Sequence, residues 1–595
     1  MRMIRVDLHA GQRVFEGWGT SLAWWANAVG RMPRAQRNAV VRRIFGLDAG
    51  GLGMTVARFN AGGGESPAVD VTMQSRAVME GYRTSPIADL DESADPGQRA
   101  VLREAARTVA ESGGGLVVEL FGNSPPWWAT VSGSVTGASS APRCPAPNLS
   151  PVFANDYLKY LADVAGFIER DSGIRVASIS PFNEPTSRWW VLGGRQEGCH
   201  FTTGGIDRLL TALSVKPDVF KGRLIAASEE WSLEQAVETW DALGPSARRT
   251  IDRLNVHTYD GQSRAAVRAR AARAGIDLWV SEFGEGDETG LGLALAIVHD
   301  LRELAPRAWV LWQVVSPDAW GALRLARDGA TVAETLKFEV LARFTRSIRP
   351  GMRLVGTDDP FSVAAAAPDR CSVVVVGDAE LHERVGVDFG EGAVSDVEVI
   401  VVDAGGKGQI ARHPVEPEDG VIRFRLPAGA IASVTAQVIA DPDDGRFWGS
   451  GTWWLEHESG TRLGLAGSGD SELRAGVRVA GVTPDAASLA QRWRAEACGD
   501  GSTRWVCEAS GHQLDIERAS QRSGAHAIQW PAGLAEKAPA HARFEVVESG
   551  ERGVMLVARH SGRALALDQR GFGAQRAPGD WGTHWRLVRA SNLTP

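Results

Sequence analysis

Short apolar runs alternate with amphipathic stretches over the first 345 residues of the chain. The stretches between the runs repeat apolar residues at helical spacing, as in Gln98–Glu111, Asn155–Arg170, Gly205–Ser214, Gln262–Ala274 and Gly292–Leu304. Strands that alternate with helical patterns of about 10–15 residues are typical of βαβ units and a parallel sheet. The pattern therefore predicts a (β/α)8 barrel over residues 15–345. Its eight predicted strands are Arg13–Trp18, Leu52–Phe59, Leu116–Phe121, Val176–Phe182, Arg223–Ala227, Arg253–His257, Leu278–Phe283 and Trp309–Val315.

A doubly wound parallel sheet is the competing topology for the same pattern. Such a sheet normally opens with a glycine-rich phosphate-binding turn directly after its first strand. No such turn follows Arg13–Trp18, so the barrel is the favoured prediction.

Residues 346–442 show a different pattern. Helical periodicity disappears, and β-rich segments alternate with glycine, proline and aspartate, which is typical of a small antiparallel β-sandwich. An N-terminal strand, 1–14, is expected to join this sheet through Met1–Leu8. The β-rich segments are Ser372–Val376, Asp396–Val402, Val421–Leu426 and Ala432–Ile439.

The last 150 residues contain an internal repeat. The string Ser-Gly-x-x-Leu begins at Ser459, Ser510 and Ser561, an offset of 51 residues each time, and each copy ends near an aromatic residue: Trp493, Phe544 or Trp585. Three copies of this length suffice to close a threefold unit. Residues 446–595 resemble a ricin-type β-trefoil, whose repeats carry a Gln-x-Trp turn, and Gln491-Arg492-Trp493 keeps that turn intact.

Composition narrows the classes of function. Hydrophobic residues make up 44% and charged residues 23% of the chain, ordinary values for a globular protein that buries real cores. The net charge of −8 argues against a nucleic-acid partner, since proteins hold such partners by neutralising their phosphates. The 21 tryptophans against 4 tyrosines are notable because the flat indole face is a surface on which sugar rings stack.

The sequence shows no pattern typical of a membrane-spanning segment, a signal peptide or a metal site. No apolar run reaches the roughly 18 residues of a membrane span, and the N-terminus lacks the apolar region of a signal peptide. We therefore expect a cytoplasmic protein, or a secreted one whose leader has been removed. No cysteine or histidine spacing matches a metal site. Cys498 and Cys507 are close enough in sequence to pair, although free thiols are equally compatible with it.

Two glutamates occupy the positions where a parallel barrel carries its catalytic groups. The fourth predicted strand leads into Asn183-Glu184-Pro185, and the seventh ends in Ser281-Glu282. Carboxyl groups at the carboxyl ends of these strands can face each other across the barrel mouth. In retaining glycosidases such a pair lies about 5–5.5 Å apart, one as nucleophile and one as acid and then base. Asn183 adds an amide suited to a sugar hydroxyl.

This constellation resembles glycoside hydrolase family 30, and specifically its endo-β-1,6-galactanase branch. The similarity runs through the barrel and the sandwich. Its longest motifs are Phe15–Ala26, Arg58–Gly64, Asn123–Gly133, Gln196–Cys199 and Leu341–Gly351.

The resemblance implies Glu184 as general acid/base and Glu282 as nucleophile. Glu184 must then be protonated to release the leaving oxygen, while Glu282 must be ionised to attack the anomeric carbon. No metal or organic cofactor is needed, because two carboxylates complete this reaction themselves.

Several further side chains are candidates for the same site. Arg58 and Tyr259 can hold Glu282 ionised, since a cation and a phenol both stabilise a carboxylate, and His257 can donate to a substrate hydroxyl. Three more carboxylates lie near strand ends: Glu119, Glu229 and Glu230. They are the alternative candidates for the catalytic roles, or could bind axial hydroxyls of galactose. Candidate substrate contacts in loops or strand ends of the catalytic face are Trp24, Asn123, Trp127 and Trp312.

The trefoil repeats differ in their sugar-site residues. Repeat two has Asp515 directly after the leucine of its Ser-Gly-x-x-Leu string, followed by Gln529 and Trp530, which makes a plausible sugar site. Repeat one has Gly464 at the aligned position and repeat three has Ala566, so neither is expected to bind sugar in the same way. A purely structural trefoil is the alternative.

The leading hypothesis is a retaining hydrolase of β-1,6-linked galactan, such as the side chains of arabinogalactan. A β-glucosidase, β-xylanase or β-fucosidase of the same family would keep the mechanism and change the sugar. A carbohydrate-binding protein with an inactive barrel is the alternative from another class, and the presence of both glutamates argues against it.

Overall fold

The computed structural model describes residues 1–590 except 70–72, 142, 368, 390–393, 405–409, 416, 439–450, 467–472, 499–501, 549–552, 579 and 581. No helix in this described part of the chain has the length and apolar character needed to cross a bilayer.

The first domain is a closed barrel of parallel strands, as predicted. After an N-terminal strand outside the barrel, eight strands follow in order around it, and the ring closes where Gly17 pairs with Ala308. The strands to this point are β1 (Arg2–Val14), β2 (Gly17–Ser21), β3 (Val56–Asn60), β4 (Val117–Phe121), β5 (Val176–Ser180), β6 (Leu224–Ser232), β7 (Arg253–Asp260), β8 (Asp277–Phe283) and β9 (Ala308–Leu311).

Helices cover the outside of the barrel because each buries one apolar stripe against the strands. Ser232, at the end of β6, forms a capping box with Gln235 and so starts the next helix without a linker. The helices are α1 (Trp25–Gly30), α2 (Arg34–Phe45), α3 (Pro96–Glu111), α4 (Ala154–Ser172), α5 (Thr203–Val215), α6 (Leu233–Ala242), α7 (Pro245–Thr250), α8 (Arg264–Ala274), α9 (Leu291–His299) and α10 (Leu336–Ser347).

All eight predicted barrel strands differ from the structure in at least one bound, and in three of them the difference lengthens the strand well past its apolar run or assigns residues to another element. Arg13 and Val14 end β1, so the first barrel strand starts at Gly17 instead of Arg13. The strand predicted as Arg223–Ala227 extends to Ser232 in β6, and the run predicted as Trp309–Val315 divides into β9 and a short strand. That short strand belongs to a small sheet of β10 (Val315–Ser316), β11 (Leu323–Leu325) and β12 (Val332–Glu334).

The second domain is a curled, mainly antiparallel sheet that β1 completes from the N-terminus. Its strands after the barrel are β13 (Arg353–Thr357), β14 (Ser362–Ala366), β15 (Arg370–Val376), β16 (Glu383–Asp388), β17 (Val394–Val402), β18 (Ile410–Pro414), β19 (Val421–Leu426) and β20 (Ile431–Val438). Their spatial order with β1 is β18, β17, β20, β15, β14, β13, β1, β16 and β19, and β1 runs antiparallel to β13 and parallel to β16. Side chains alternate between faces along a strand, so Val373 and Val375 fill the core of this domain while Val374 and Val376 pack on the barrel.

The C-terminal domain is β-rich, and its repeat is visible in its core. Trp493 and Trp585 are fully buried, and each indole N–H donates to the carbonyl of the leucine in its own Ser-Gly-x-x-Leu string, Leu463 at 2.9 Å and Leu565 at 3.0 Å. Phe544 is equally buried in the second repeat but has no N–H to donate. The strands are β21 (Gly451–His457), β22 (Arg462–Leu465), β23 (Val479–Val482), β24 (Arg492–Ala497), β25 (Thr503–Cys507), β26 (His512–Ile516), β27 (Ala527–Pro531), β28 (Phe544–Glu548), β29 (Val554–Ala558), β30 (Arg563–Leu567), β31 (Gly573–Arg576) and β32 (Trp585–Arg589).

The C-terminal domain contacts the amino-terminal end of the barrel through a cluster of charges. Arg307, which is only 1% exposed, binds Glu545 of β28 and lies 3.6 Å from Asp277. Arg559, which directly follows β29, binds both Glu16 and Glu545 at 3.0 Å. Because Glu16, Asp277 and Arg307 precede or begin barrel strands, this contact is at the end of the barrel opposite the carboxyl ends of its strands.

Candidate active site

The carboxyl ends of the barrel strands surround a cavity of about 530 Å³. In barrel enzymes this end carries the active site. The cavity is lined by Asn183, Glu184, Trp189, Trp190, Gly194, Arg195, Gln196, Trp231, Tyr259, Glu282, Trp312 and Trp320. Both predicted glutamates therefore face one cavity.

Glu184 is held in the turn that follows β5. Its backbone has a positive φ of 46°, and its N–H donates to the carbonyl of Glu229 at 2.7 Å. The indole N–H of Trp189 donates to the side-chain carboxyl of Glu184 at 3.1 Å, and the indole N–H of Trp190 donates to the backbone carbonyl of Glu184 at 2.7 Å. Burial raises the pKa of Glu184, and the negative charge of Glu282 adds to that rise. This environment favours the protonated acid.

Glu282 lies in β8 and is held by two donors. Arg58 of β3 donates to one carboxylate oxygen at 2.9 Å, and the Tyr259 hydroxyl donates to the other at 3.0 Å. A guanidinium and a phenol both stabilise the ionised form of a carboxylate. Arg58 and Tyr259 thus fix the orientation of the Glu282 carboxylate.

The two carboxyl groups are close together, with His257 beside them. One carboxylate oxygen of Glu184, one of Glu282 and a ring nitrogen of His257 all lie within 4.8 Å of one another. Within the described residues, this is the one such trio with metal-ligand atoms. Burial opposes protonation of His257, but the surrounding carboxylates raise its pKa to about 10. An imidazolium has no lone pair for a metal, so the charge state of His257 favours an ion pair with the carboxylates.

A network of buried charges lies beneath the pair. Arg58 is fully buried and binds Glu119 through Nε at 3.1 Å and Glu229 through Nη2 at 3.2 Å, in addition to Glu282. These three anions raise the pKa of Arg58 against the effect of burial. Arg253 also binds Glu119, so two arginines neutralise this layer. The network explains how several charges are tolerated inside the barrel, since buried charges require paired partners.

The three carboxylates that were alternative candidates for the catalytic roles do not line the cavity. Glu119 and Glu229 bind arginines below it. Glu230 accepts hydrogen bonds from the hydroxyls of Thr186 and Thr239 at 2.8 and 2.6 Å, and burial raises its pKa to about 7. The three therefore support the walls of the site.

The remaining predicted contacts lie at different depths. Asn183 and Trp312 line the cavity, and the amide oxygen of Asn183 is buried with no hydrogen-bond partner among the described residues. Trp24 lies behind Trp312, with ring centroids 5.3 Å apart. Asn123 and Trp127 do not line the cavity: the N–H of Asn123 donates to the side chain of Asn60, and Trp127 packs against the barrel core.

Sequence reasoning missed two aromatic residues of the cavity wall. Trp231 stacks on Tyr259 with centroids 6.2 Å apart and an interplanar angle of 12°, and Trp320 is 6.2 Å from the same ring. Trp231 directly follows Glu229-Glu230, so extending the fifth predicted strand past Ala227 would have placed it at the mouth. Trp320 lies in a loop after β10 and carried no comparable signal.

The sugar-site residues predicted in the C-terminal domain differ in exposure. Trp530 is 49% exposed. Asp515 is buried and accepts from a ring nitrogen of His541 at 2.6 Å. Gln529 is fully buried, and its amide donates to the carbonyl of Arg474 at 2.8 Å.

Comparison with known proteins agrees with this geometry. A family model described as O-Glycosyl hydrolase family 30 matches residues 1–233, and one described as a ricin-type beta-trefoil lectin domain-like family matches residues 489–581. The endo-beta-1,6-galactanase of Hypocrea rufa is 31% identical over 394 residues, which cover 63% of this chain and 80% of that protein. The exo-beta-1,6-galactobiohydrolase of Bifidobacterium longum subsp. longum is 23% identical over 404 residues, covering 51% of this chain and 26% of that protein.

Solved structures share the fold at lower identity. A conserved exported protein from Bacteroides fragilis has a TM-score of 0.60 at 17% identity, covering 73% of this chain and 100% of that one. The glycoside hydrolase family 30 subfamily 8 xylanase from Clostridium acetobutylicum has a TM-score of 0.54 at 16% identity, covering 73% and 99%.

The fold and the site define a glycosidase with an attached lectin-like domain. The chain belongs to glycoside hydrolase family 30. The family resemblance, the fold class and the enzyme class predicted from sequence are thereby confirmed.

Proposed function

We propose that this protein is a retaining glycoside hydrolase that cleaves β-1,6-linked galactan and galacto-oligosaccharides, such as side chains of arabinogalactan. The spacing of the catalytic pair carries the mechanism: carboxylate oxygens of Glu184 and Glu282 lie within 4.8 Å of each other. Retaining enzymes place their carboxyl groups about 5–5.5 Å apart, whereas inverting enzymes need about 6.5–9.5 Å to admit a water. The 31% identical endo-beta-1,6-galactanase supports the choice of sugar and linkage.

In the first step, Glu184 protonates the glycosidic oxygen and Glu282 attacks the anomeric carbon. The leaving sugar departs with the proton of Glu184, and the other sugar becomes an ester of Glu282. The Arg58 and Tyr259 hydrogen bonds orient the Glu282 carboxylate for attack, and burial favours the protonated form of Glu184 by raising its pKa.

In the second step, the ester is hydrolysed. Esterification removes the negative charge of Glu282, which is one cause of the raised pKa of Glu184. Glu184 then acts as a base, takes a proton from water, and the resulting hydroxide attacks the anomeric carbon from the face that the leaving sugar vacated. Two inversions give a product with the anomeric configuration of the substrate.

The cavity walls suit a sugar chain. Trp189 and Trp320 are 43% and 37% exposed, and the indole face is apolar enough to stack on the C–H face of a sugar ring. Asn183 offers a buried amide oxygen that a sugar hydroxyl could satisfy. A few polar groups within aromatic walls are the usual composition of a small-molecule site.

The test is anomeric NMR of the products during hydrolysis of β-1,6-galacto-oligosaccharides of graded length. We expect the β-anomer to appear first and to convert to the equilibrium mixture only by mutarotation, because both steps invert the same carbon. Parallel incubation with β-linked glucan and xylan serves as the linkage and sugar control. First formation of the α-anomer would contradict the mechanism, and hydrolysis of glucan or xylan instead of galactan would contradict the substrate.

We also propose that the C-terminal domain binds a galactose-rich polymer through repeat two. Trp530 offers an exposed ring for stacking, next in sequence to Gln529 and in the strand paired with that of Asp515. The domain contacts the barrel end opposite the cavity, so this binding would hold the enzyme on a polymer without occupying the catalytic cleft.

Trp530→Ala is therefore expected to weaken retention on insoluble galactan while leaving kcat/KM on short oligosaccharides unchanged. Stacking of one aromatic ring contributes on the order of 1 kcal/mol, so the dissociation constant in a pull-down isotherm should rise several-fold. Leu534→Ala, another exposed apolar position of the same repeat at 59% exposure, is the matched control. Equal retention of the W530A variant and the wild type would argue for a purely structural trefoil.

A further inference from the structure

Glu229 is a third buried carboxylate of the barrel, and it makes a concentrated set of contacts. It lies in β6 with a positive φ of 63° and has no exposed surface. Its Oε2 accepts from Arg58 at 3.2 Å, His257 at 3.1 Å and Ser281 at 2.6 Å, while its Oε1 accepts from Asn255 at 2.6 Å. Four donors from three different strands thus converge on one side chain that does not reach the cavity.

Two of these donors continue to the catalytic pair. The other arm of Arg58, Nη1, donates to Glu282 at 2.9 Å. The other ring nitrogen of His257, Nδ1, is 3.4 Å from Glu184 and 3.7 Å from Glu282. Glu229 therefore touches both cations that face the reacting carboxylates and touches neither carboxylate side chain itself.

We propose that Glu229 is a positioning residue that holds Arg58 and a doubly protonated His257 against Glu282 and Glu184. This inference rests on the proposed function, because it assigns a purpose to Glu229 within that same reaction. It concerns a side chain that contacts no substrate and acts only through its two cationic partners.

The hydrogen bonds around His257 determine which of its ring nitrogens carry a hydrogen. An ionised carboxylate only accepts, so Nε2 of His257 must carry the hydrogen that points to Glu229. A neutral ring would then face Glu184 and Glu282 with the bare lone pair of Nδ1, whereas an imidazolium presents a second N–H between them. The titratable and charged groups around this ring are Glu184, Glu229, Glu230, Tyr259 and Glu282.

The charges of these neighbours favour the cation. Burial alone would lower the pKa of His257, but the carboxylates raise it to about 10. Burial alone would likewise raise the pKa of Glu229, yet Arg58 and His257 lower it well below its usual range. The anion and the cation stabilise each other inside the barrel.

A fixed cation at this position has a defined effect on the second half of the reaction. Once Glu282 is esterified, Glu184 loses its anionic neighbour but keeps the imidazolium of His257 3.4 Å away. A nearby cation lowers the pKa of a carboxyl group, so Glu184 passes readily to the carboxylate form that activates water. Glu229 keeps this cation in place throughout the cycle.

The proposal is tested on the full chain by NMR of ¹⁵N-histidine-labelled protein. The resonances of His257 are assigned by their absence in His257→Gln. In the wild type, both ring nitrogens of His257 should be protonated at neutral pH. In Glu229→Gln, the pKa of His257 should fall by about 1–3 units, the effect of one opposite charge at this distance. These measurements need no substrate, so they hold or fail independently of the sugar and the linkage.

Kinetics supply the second readout. The E229Q variant should lose about 100-fold in kcat, as for a catalytic group displaced by about 1 Å, while KM stays close to wild type because Glu229 does not line the cavity. In the pH profile of kcat, which unlike kcat/KM includes hydrolysis of the ester, the alkaline limb of E229Q should move to lower pH as His257 deprotonates. If the wild-type protein hydrolyses no galactan, the function proposal fails and the NMR titration alone decides the role of Glu229.

Glu119→Gln is the matched control. Glu119 is equally buried and shares Arg58 and Asn255 with Glu229, but it does not contact His257. E119Q should therefore leave the pKa of His257 near its wild-type value. A neutral His257 in the wild type, or an E229Q variant with unchanged kcat and an unchanged pKa of His257, would overturn the proposal. If E229Q does not fold, the protonation state of wild-type His257 still decides it.

Discussion

Replacing Glu282 by glutamine is expected to reduce kcat by about 10⁴-fold or more, the scale seen when an enzyme loses its nucleophile. The amide preserves the shape of the side chain and can still accept from Arg58 or Tyr259, but it cannot form the glycosyl ester. KM should change little, because the aromatic walls that bind the sugar are untouched. The measurement is kcat and KM on β-1,6-galacto-oligosaccharides, with circular dichroism to verify the fold.

Glu288→Gln is the matched control for this variant. Glu288 lies six positions after Glu282 in the following loop, with a side chain 69% exposed and paired with Arg324 at 2.7 Å. Exposed ion pairs contribute little, so E288Q should retain wild-type kinetics. An E282Q variant that kept a substantial share of wild-type kcat would assign the nucleophile to another residue.

Replacing Glu184 by glutamine is expected to act in a way that depends on the leaving group. With a galacto-oligosaccharide, kcat/KM should fall by about 10²–10⁴-fold, because the departing oxygen no longer receives a proton. With a dinitrophenyl β-galactoside, whose leaving group needs no proton, kcat/KM should stay near wild type. A burst of dinitrophenol should then precede a slow steady state, because hydrolysis of the ester lacks its base.

The pH profile gives an independent view of Glu184. Burial raises the pKa of this carboxyl group, and the acid must be protonated to work. Wild-type kcat/KM on the oligosaccharide should therefore fall as pH rises through the raised pKa of Glu184. The alkaline limb that Glu184 sets should be absent from the profile of E184Q, and an unchanged limb would mean that another group is the acid.

The placement of the two candidate glutamates at one cavity could be predicted from sequence because of how a barrel is built. Side chains at the carboxyl ends of parallel strands reach one mouth, so Glu184 after β5 and Glu282 in β8 could be placed together without coordinates. The motif around Asn183 and the family resemblance then assigned their roles. Predicting strand ends from apolar runs failed where a strand was longer than its run. Strand β6 continues through Glu229 and Glu230 to Ser232, and Trp231 was missed for that reason.

The trefoil shows a second limit of sequence reasoning. The 51-residue spacing predicted the equivalence of Trp493 and Trp585, and their indoles do make equivalent hydrogen bonds. The same reasoning placed Gln529 in a sugar site, yet in the folded domain its amide donates to the backbone of Arg474. A motif gives the residue types at a site, but whether a polar side chain faces solvent depends on the strands packed around it.

The sequence by itself determined the order of the elements, the threefold repeat and the two carboxylates at strand ends, because hydrophobic periodicity and chain order are local properties. The tertiary structure alone decided which charged side chains form ion pairs and hydrogen bonds with one another. Arg58, Glu119, Glu229, His257 and Glu282 come from separate strands, up to 224 positions apart for the bond between Arg58 and Glu282. Only closure of the sheet brings them within hydrogen-bond distance in a buried interior, where electrostatic interactions are strong and where burial raises the pKa of Glu184.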